Sequence, residues 1–161
     1  YSDKHKSIKD IPENGTVGIS NSKVTQGRSL LVLQSAGLIK IASNVKDPTV
    51  KDIVENKKNL KFKELATDQL VRTLPEVDVA AIDPSFIVGS GRSIKSAIYV
   101  QPVNKSTHGG INIIATTKSK KNSVAIKKFV KAYQSDNVAD YIDNKSGTGE
   151  IAVWKGAPQV K

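Results

Sequence analysis

Apolar positions along this chain fall into short runs whose period switches repeatedly, and the switches mark the elements. A turn cluster, Ile11-Pro-Glu-Asn-Gly15, leads into Thr16-Val-Gly-Ile19, which reads as a strand. Residues 21–25 are polar and read as a loop. Over residues 26–36, Leu30, Leu31, Val32 and Leu33 supply a broad apolar face, and Gly37 stands where a helix usually stops. Asp47-Pro48 joins an N-cap residue to a first-turn proline and predicts a short helix to about Asn56. Residues 60–65 alternate at strand period. Thr67 is expected to cap a helix carrying Leu70, Val71 and Leu74, stopped near Pro75. Residues 77–82 read as a strand of small apolar residues. Asp83-Pro84 then opens one or two helical turns, and Gly89-Ser-Gly91 breaks them. Residues 97–100 and 111–117 read as further strands. In the segment that follows, Ile126, Phe129, Val130 and Tyr133 fall at i, i+3, i+4 and i+7, a clear amphipathic helix. Ser135 or Asp136 caps another, with Val138, Ala139, Tyr141 and Ile142. Gly147 and Gly149 lead into a last strand over 151–154.

This alternation of strands and helices predicts an α/β sheet layered with helices. With 161 residues the chain is sized for one domain, or one domain and a piece of a second. Hydrophobic residues at 38% and charged residues at 25% describe a globular chain. No apolar run approaches the roughly 20 residues that span a bilayer. The absence of cysteine excludes disulfides, thiolate metal sites and a cysteine nucleophile. His5 and His108 are far apart and not at ligand spacing, so no metal or other cofactor is expected.

Lys+Arg is 25 against 15 Asp+Glu, a net charge of +10, but only Arg28, Arg72 and Arg92 carry the planar guanidinium suited to bases and phosphates. The lysines are scattered and no aromatic interleaves with them. No nucleic-acid partner is expected; a solvated lysine surface, or attraction to an anionic cell surface, fits the charge better.

In open α/β sheets ligands bind beyond the carboxyl ends of strands, where helices begin. Three junctions fit. In Gly18-Ile-Ser-Asn-Ser-Lys-Val-Thr-Gln-Gly-Arg28, a strand, a loop and a helix follow one another, with Arg28 in the expected first turn. Free amides there favour an anion, and Arg28 adds a bidentate donor for a carboxylate, unless it merely coats a solvated face. In Ala81-Ile-Asp-Pro-Ser-Phe86, Asp83 is either a plain N-cap or a carboxylate presented to a ligand ammonium. In His108-Gly-Gly-Ile-Asn112, the Asn112 amide can both donate and accept, or serve as a structural loop residue. No Gly-x-Ser-x-Gly, Walker loop or Gly-x-Gly-x-x-Gly is present, and an enzyme is not expected.

These junctions lie in stretches with a family look. Ser7-Ile-Lys-Asp-Ile-Pro12, Thr16-Val-Gly-Ile-Ser-Asn21, Thr25-Gln-Gly-Arg-Ser-Leu30, Leu33-Gln-Ser-Ala-Gly-Leu-Ile-Lys40, Asn59-Leu-Lys-Phe-Lys-Glu-Leu65, Asp78-Val-Ala-Ala-Ile82, Ile111-Asn-Ile-Ile114 and Ala125-Ile-Lys-Lys-Phe129 occur in order along the chain. Together they resemble the NlpA/MetQ-type methionine-binding lipoproteins, substrate-binding proteins of bacterial ABC importers.

The resemblance implies a type-II solute-binding-protein architecture: a three-layer lobe, with a mixed sheet flanked by helices, plus a partial second lobe. It implies a crossing segment over 1–10 and a lobe over 11–108. Residues 111–161 become a return strand and C-terminal helices belonging to the other lobe, whose remainder is absent. Arg28 falls at the family's carboxylate-binding arginine and Asn112 at its asparagine after the crossing strand. Asp83 stands where the family has asparagine, and Gly109-Gly110 where it has Pro-Tyr. The implied ligand is methionine or a related amino acid or short peptide. The implied partner is the permease/ATPase complex in the membrane. The implied place is the extracytoplasmic face of the envelope, with lipid anchoring through an upstream cysteine. A ligand-free envelope surface or interaction protein is the alternative, with a homodimer of this fragment possible.

Overall fold

In a computed structural model of the chain, residues 1–102, 111–145 and 150–154 are described, Lys145 by its backbone alone. The chain divides into two compact units, Tyr1–Val103 and Asn104–Lys161.

The first unit is built on a three-stranded parallel sheet. Its strands are β1 (Thr16–Ser20), β4 (Lys61–Leu65) and β5 (Val79–Ala80), in the order β4-β1-β5, with Thr16 beside Lys61 and Val17 beside Val79. As the central strand, β1 is buried from Val17 to Ser20, as a parallel strand covered on both faces must be. Val17 and Ile19 point toward α1 (Lys23–Ser35) and pack with Leu30, Leu33, Leu38, Ile39 and Leu60. On the other face Gly18 leaves room for Leu70 and Val77. A Cβ there would lie 3.2 Å from that of Ala80 and 3.4 Å from Leu70 Cδ2. That side continues through Leu74, Ala80 and Ile87, the last on α2 (Pro84–Gly89).

Helix α1 starts earlier than its apolar spacing announces. Ser22 is its N-cap, so most of the expected loop over 21–25 is the first helical turn. The polar residues Lys23 and Thr25 carry no apolar period and hide that start. The helix ends at Gly37, whose φ of +76° suits glycine. Gly37 N–H donates to Gln34 O, and Leu38 N–H to Leu33 O, a Schellman closure sealed by the Leu33 and Leu38 side chains.

Several expected elements take other forms. Over 47–56, Pro48 is a buried packing residue 3.2 Å from where a Cβ of Gly27 would sit. Thr49 and Asp52 close a single 3-10 turn, and β3 (Ile53–Glu55) then pairs antiparallel with β2 (Lys40–Ile41). Its β-branched Ile53 and Val54 favour a strand over a continued helix. After β4 the 3-10 turn Thr67–Gln69 is followed by further turns rather than an α-helix; Leu70, Val71 and Leu74 are nonetheless buried. Residues 97–100 form no strand; the 3-10 turn Ile94–Ser96 precedes them instead.

In the second unit, α3 (Val124–Tyr133) and α4 (Asp136–Asp140) form as expected, the latter capped at Ser135 and continued by a π-helical turn, Tyr141–Lys145. No residue of α3 is buried. Ala139 and Ala152 make a small core beside Trp154, and Ala152 N–H donates to Asp143 Oδ1 at 2.8 Å. Residues 111–117 and 151–154 form no strand, because no neighbouring strand is available to them among the described residues. Gly109, Gly110, Gly147 and Gly149 lie outside the described residues, as does His108.

Candidate functional site

Because β4, β1 and β5 run parallel, their carboxyl ends meet at one edge of the first unit. From it the chain enters α1 through Asn21-Ser22, the 3-10 turn Thr67–Gln69 through Ala66, and α2 through Asp83.

Short-range and cross-strand hydrogen bonds set the shape of this edge. The buried Ser20 Oγ lies 2.7 Å from Thr67 Oγ1 and accepts from Ser22 N–H at 3.1 Å. Asn21 N–H donates to Leu65 O at 2.8 Å. Gln26, buried on α1, donates through Nε2 to Ser20 O at 3.2 Å and to Glu64 Oε2 at 2.5 Å, tying helix and both strands together. These contacts link residues far apart in sequence, so none of Ser20, Gln26 or Thr67 stands out as a site residue beforehand.

Ser22 makes no side-chain cap to α1. The amides of Lys23, Val24 and Thr25 precede the first intrahelical donor, Gln26, whose N–H reaches Ser22 O. An uncapped helix start of this kind attracts an anion. Arg28 sits in the second turn rather than the first, on the exposed face, in line with Val24 and Thr25. Helical side chains lean toward the N-terminus, so this position directs the guanidinium back along the helix toward the sheet edge. Among the described residues Arg28 has no ion-pair or hydrogen-bond partner.

Asp83 is the N-cap of α2: its Oδ1 accepts from Ser85 N–H at 2.9 Å and from Ser85 Oγ at 2.6 Å. The residue is exposed, and it does not pair with Arg28. Beside it stands Tyr1, which sequence reasoning did not single out. Tyr1 exchanges two backbone hydrogen bonds with Ala80 and, like Ile82, packs against the cluster of Val71, Leu74, Val77, Ala80 and Ile87. Burial, then the negative charge of Asp83, raises the pKa of its phenol. Asn112 is exposed in the second unit, without a hydrogen-bond partner among the described residues.

The first segment of the chain is tied to the same sheet at its opposite edge. His5 Nε2 meets Asp78 Oδ1 at 3.0 Å, Thr16 N–H donates to Asp78 Oδ2 at 2.7 Å, and Ser2 Oγ donates to Asp78 O at 2.7 Å. The His5 hydrogen bond, then that from Thr16, lowers the Asp78 pKa. Arg92 grips Asp3 with its two terminal guanidinium nitrogens, at 2.5 and 2.9 Å. Among the described residues no cluster of three metal-ligating side chains occurs, and no helix is long and apolar enough to cross a membrane.

A family model for the NlpA lipoproteins matches residues 1–154. The D-methionine-binding lipoprotein MetQ of Escherichia coli K12 is 37% identical over 158 residues, which are 96% of this chain and 57% of that protein. Among solved structures, the substrate-binding protein of a methionine transporter from Streptococcus pneumoniae superposes with a TM-score of 0.74 at 35% identity, over 94% of this chain and 59% of that one. A nutrient-binding protein from Burkholderia cenocepacia bound to methionine does so with a TM-score of 0.69 at 32% identity, over 92% and 62%. This chain thus spans somewhat more than half the length of the proteins it matches.

Proposed function

We propose, from the premise that the chain belongs to the NlpA lipoprotein family, that it is the substrate-binding component, or the larger part of one, of a bacterial ABC importer, and that it holds methionine or a related amino acid or short peptide. The observation that carries this reading is the free guanidinium of Arg28 beside the uncapped amides of Lys23, Val24 and Thr25. A ligand carboxylate placed there receives charge-assisted hydrogen bonds from Arg28 and backbone donors from α1. Asp83, one oxygen engaged with Ser85, offers the other to the ligand ammonium. The similar proteins with methionine in their names support the ligand class. The role is binding rather than catalysis. The protein works in the extracytoplasmic envelope, lipid-anchored, and delivers its ligand to a membrane permease/ATPase complex. Its mechanism is a population shift: a ligand that touches both lobes only when they close favours closure.

Calorimetric titration of the chain with L- and D-methionine, other amino acids and dipeptides tests this. Arg28→Ala should weaken binding by roughly 1.5–3 kcal/mol, the worth of hydrogen bonds to a charged group. Binding undiminished by Arg28→Ala rejects the site.

A second reading has its own observation. Val124, Phe129 and Tyr133 of α3 are exposed, as is Tyr141. An apolar surface of this kind suits an envelope interaction protein without ligand. Attachment to anionic vesicles that collapses with salt, without amino-acid binding, supports that alternative.

A further inference from the structure

We propose that Asn14-Gly15 is a self-modification site: Asn14 is set to convert to isoaspartate, and the native turn, through Asn59, holds the conversion back. Asn-Gly occurs once in the chain. Glycine has no Cβ to crowd its own nitrogen, so that nitrogen can approach the preceding side chain. In the conversion the Gly15 nitrogen gives its proton to solvent base and attacks Asn14 Cγ. The N–Cγ bond forms, the Cγ–Nδ2 bond breaks, and Nδ2 leaves as ammonia with a proton taken from water. Water then opens the cyclic imide at one of its two carbonyls, giving aspartate or isoaspartate.

The fold opposes the first step in two ways. Gly15 is buried, and its N–H is already given to Pro12 O at 3.3 Å. The Asn14 side chain is held as well. Asn14 and Asn59 are exposed turn residues with φ of +59° and +51°, and Asn59 Nδ2 donates to Asn14 Oδ1 at 2.6 Å. The backbone ties the same two turns together, Asn14 N–H donating to Lys58 O at 2.7 Å. The Asn59 amide has two opposed effects on Asn14. It fixes the carboxamide toward the other turn, and it polarises the bond on which negative charge collects during attack. Polarisation helps only once the nitrogen reaches Cγ, and the Gly15 nitrogen is covered and engaged, so restraint wins.

Conversion would be felt in the sheet. Isoaspartate routes the backbone through the former side chain and lengthens it before Gly15. There is little room for that: even a Cβ on Gly15 would stand 3.0 Å from Pro12 O and 3.2 Å from Ile11 Cγ2. Gly15 O accepts from Lys61 N–H at 2.9 Å, just ahead of the Thr16–Lys61 pair that opens the β1–β4 ladder. The modified turn therefore loosens that ladder from its first rung. The inference is independent of which ligand the first unit binds.

The full chain is incubated at mildly alkaline pH, native and in urea, and residue 14 is followed by peptide mapping with mass spectrometry. The expected result is slow conversion in the native chain and conversion about tenfold faster or more in urea, where the blocking geometry is gone. Asn59→Gly keeps a left-handed turn and removes the side-chain donor. It should speed native conversion about fivefold, the worth of one neutral hydrogen bond. Asn44, also at positive φ (+66°) but followed by the β-branched Val45, should stay unconverted in the same samples. Amide exchange at Lys61 should quicken in the isoaspartate form and stay slow in Asn59→Gly before conversion. No conversion in urea, equal rates native and in urea, or conversion of Asn44 at the pace of Asn14 overturns the inference. So does an Asn59→Gly rate equal to or below that of the unchanged chain. A faster Asn59→Gly rate accompanied by lost protection at Lys61 overturns it too, because the restraint would then belong to the fold at large and not to Asn59.

Discussion

The two units use the same vocabulary of apolar periods and reach different ends. In the first, the strand period of β1 and the helical period of α1 meet: Val17 and Ile19 are fully buried against Leu30, and Gly18 admits Leu70 from the other side. In the second, α3 is as well patterned as any helix in the chain, yet none of its residues is fully buried: Ile126 and Val130 are half-buried, and Phe129 is 55% exposed. Amphipathic patterning states which face of an element is to be covered. A neighbour must still exist to cover it. Among the described residues the buried apolar core is therefore concentrated around β1.

The sharpest way to break this comparison is a matched pair of truncations. Leu30→Ala should cost about 2–5 kcal/mol in urea unfolding, because it empties a site closed on all sides. Phe129→Ala should change the same measurement by less than about 0.5 kcal/mol, as an exposed substitution does. Equal losses would mean that α3 is packed after all.

Acid should act on the first unit through Asp78. Asp78 binds His5 and Thr16 in the fold, and its pKa lies below the ordinary carboxylate value near 3.8. A carboxylate with a depressed folded pKa contributes stability above its unfolded pKa and loses it as pH falls through the folded one. The chain should therefore lose stability below about pH 4, and Asp78→Asn should flatten that part of the profile. Thermal melts between pH 2 and 7 check this; an unchanged profile in the variant removes Asp78 from the account.

A small effect is expected as well at Arg92 and Asp3. Their bidentate pair is partly open to solvent, with side-chain exposures of 40% and 29%. Arg92→Ala should cost no more than about 1 kcal/mol, and less at high salt. A larger loss in urea unfolding would make the pair a main anchor of the first segment.

The parts of the fold legible in the sequence are those where a local period and a local cap coincide. At α2, Asp83 and Pro84 define the start and Gly91, at φ +77°, the end. The strands expected at 97–100, 111–117 and 151–154 failed because a period of two specifies the faces of a strand and not its neighbour. Residues 47–56 misled for another reason: Pro48 serves packing against Gly27, and the cap signal belongs to Thr49 and Asp52. At the site, Arg28 and Asp83 were visible as charges following strands. Ser20, Gln26, Thr67 and Tyr1 were not, since their roles arise only once β1, β4 and β5 lie side by side.

The central claim is that Arg28 and the first amides of α1 hold a carboxylate. Amide chemical shifts of the isotope-labelled chain, followed during titration with methionine, test it most directly, because they register weak binding residue by residue. The account predicts shifts concentrated at Lys23, Val24, Thr25 and Arg28, lost when methioninol replaces methionine and lost in Arg28→Ala. Shifts that are equally large with methioninol, or that persist in Arg28→Ala, would contradict it.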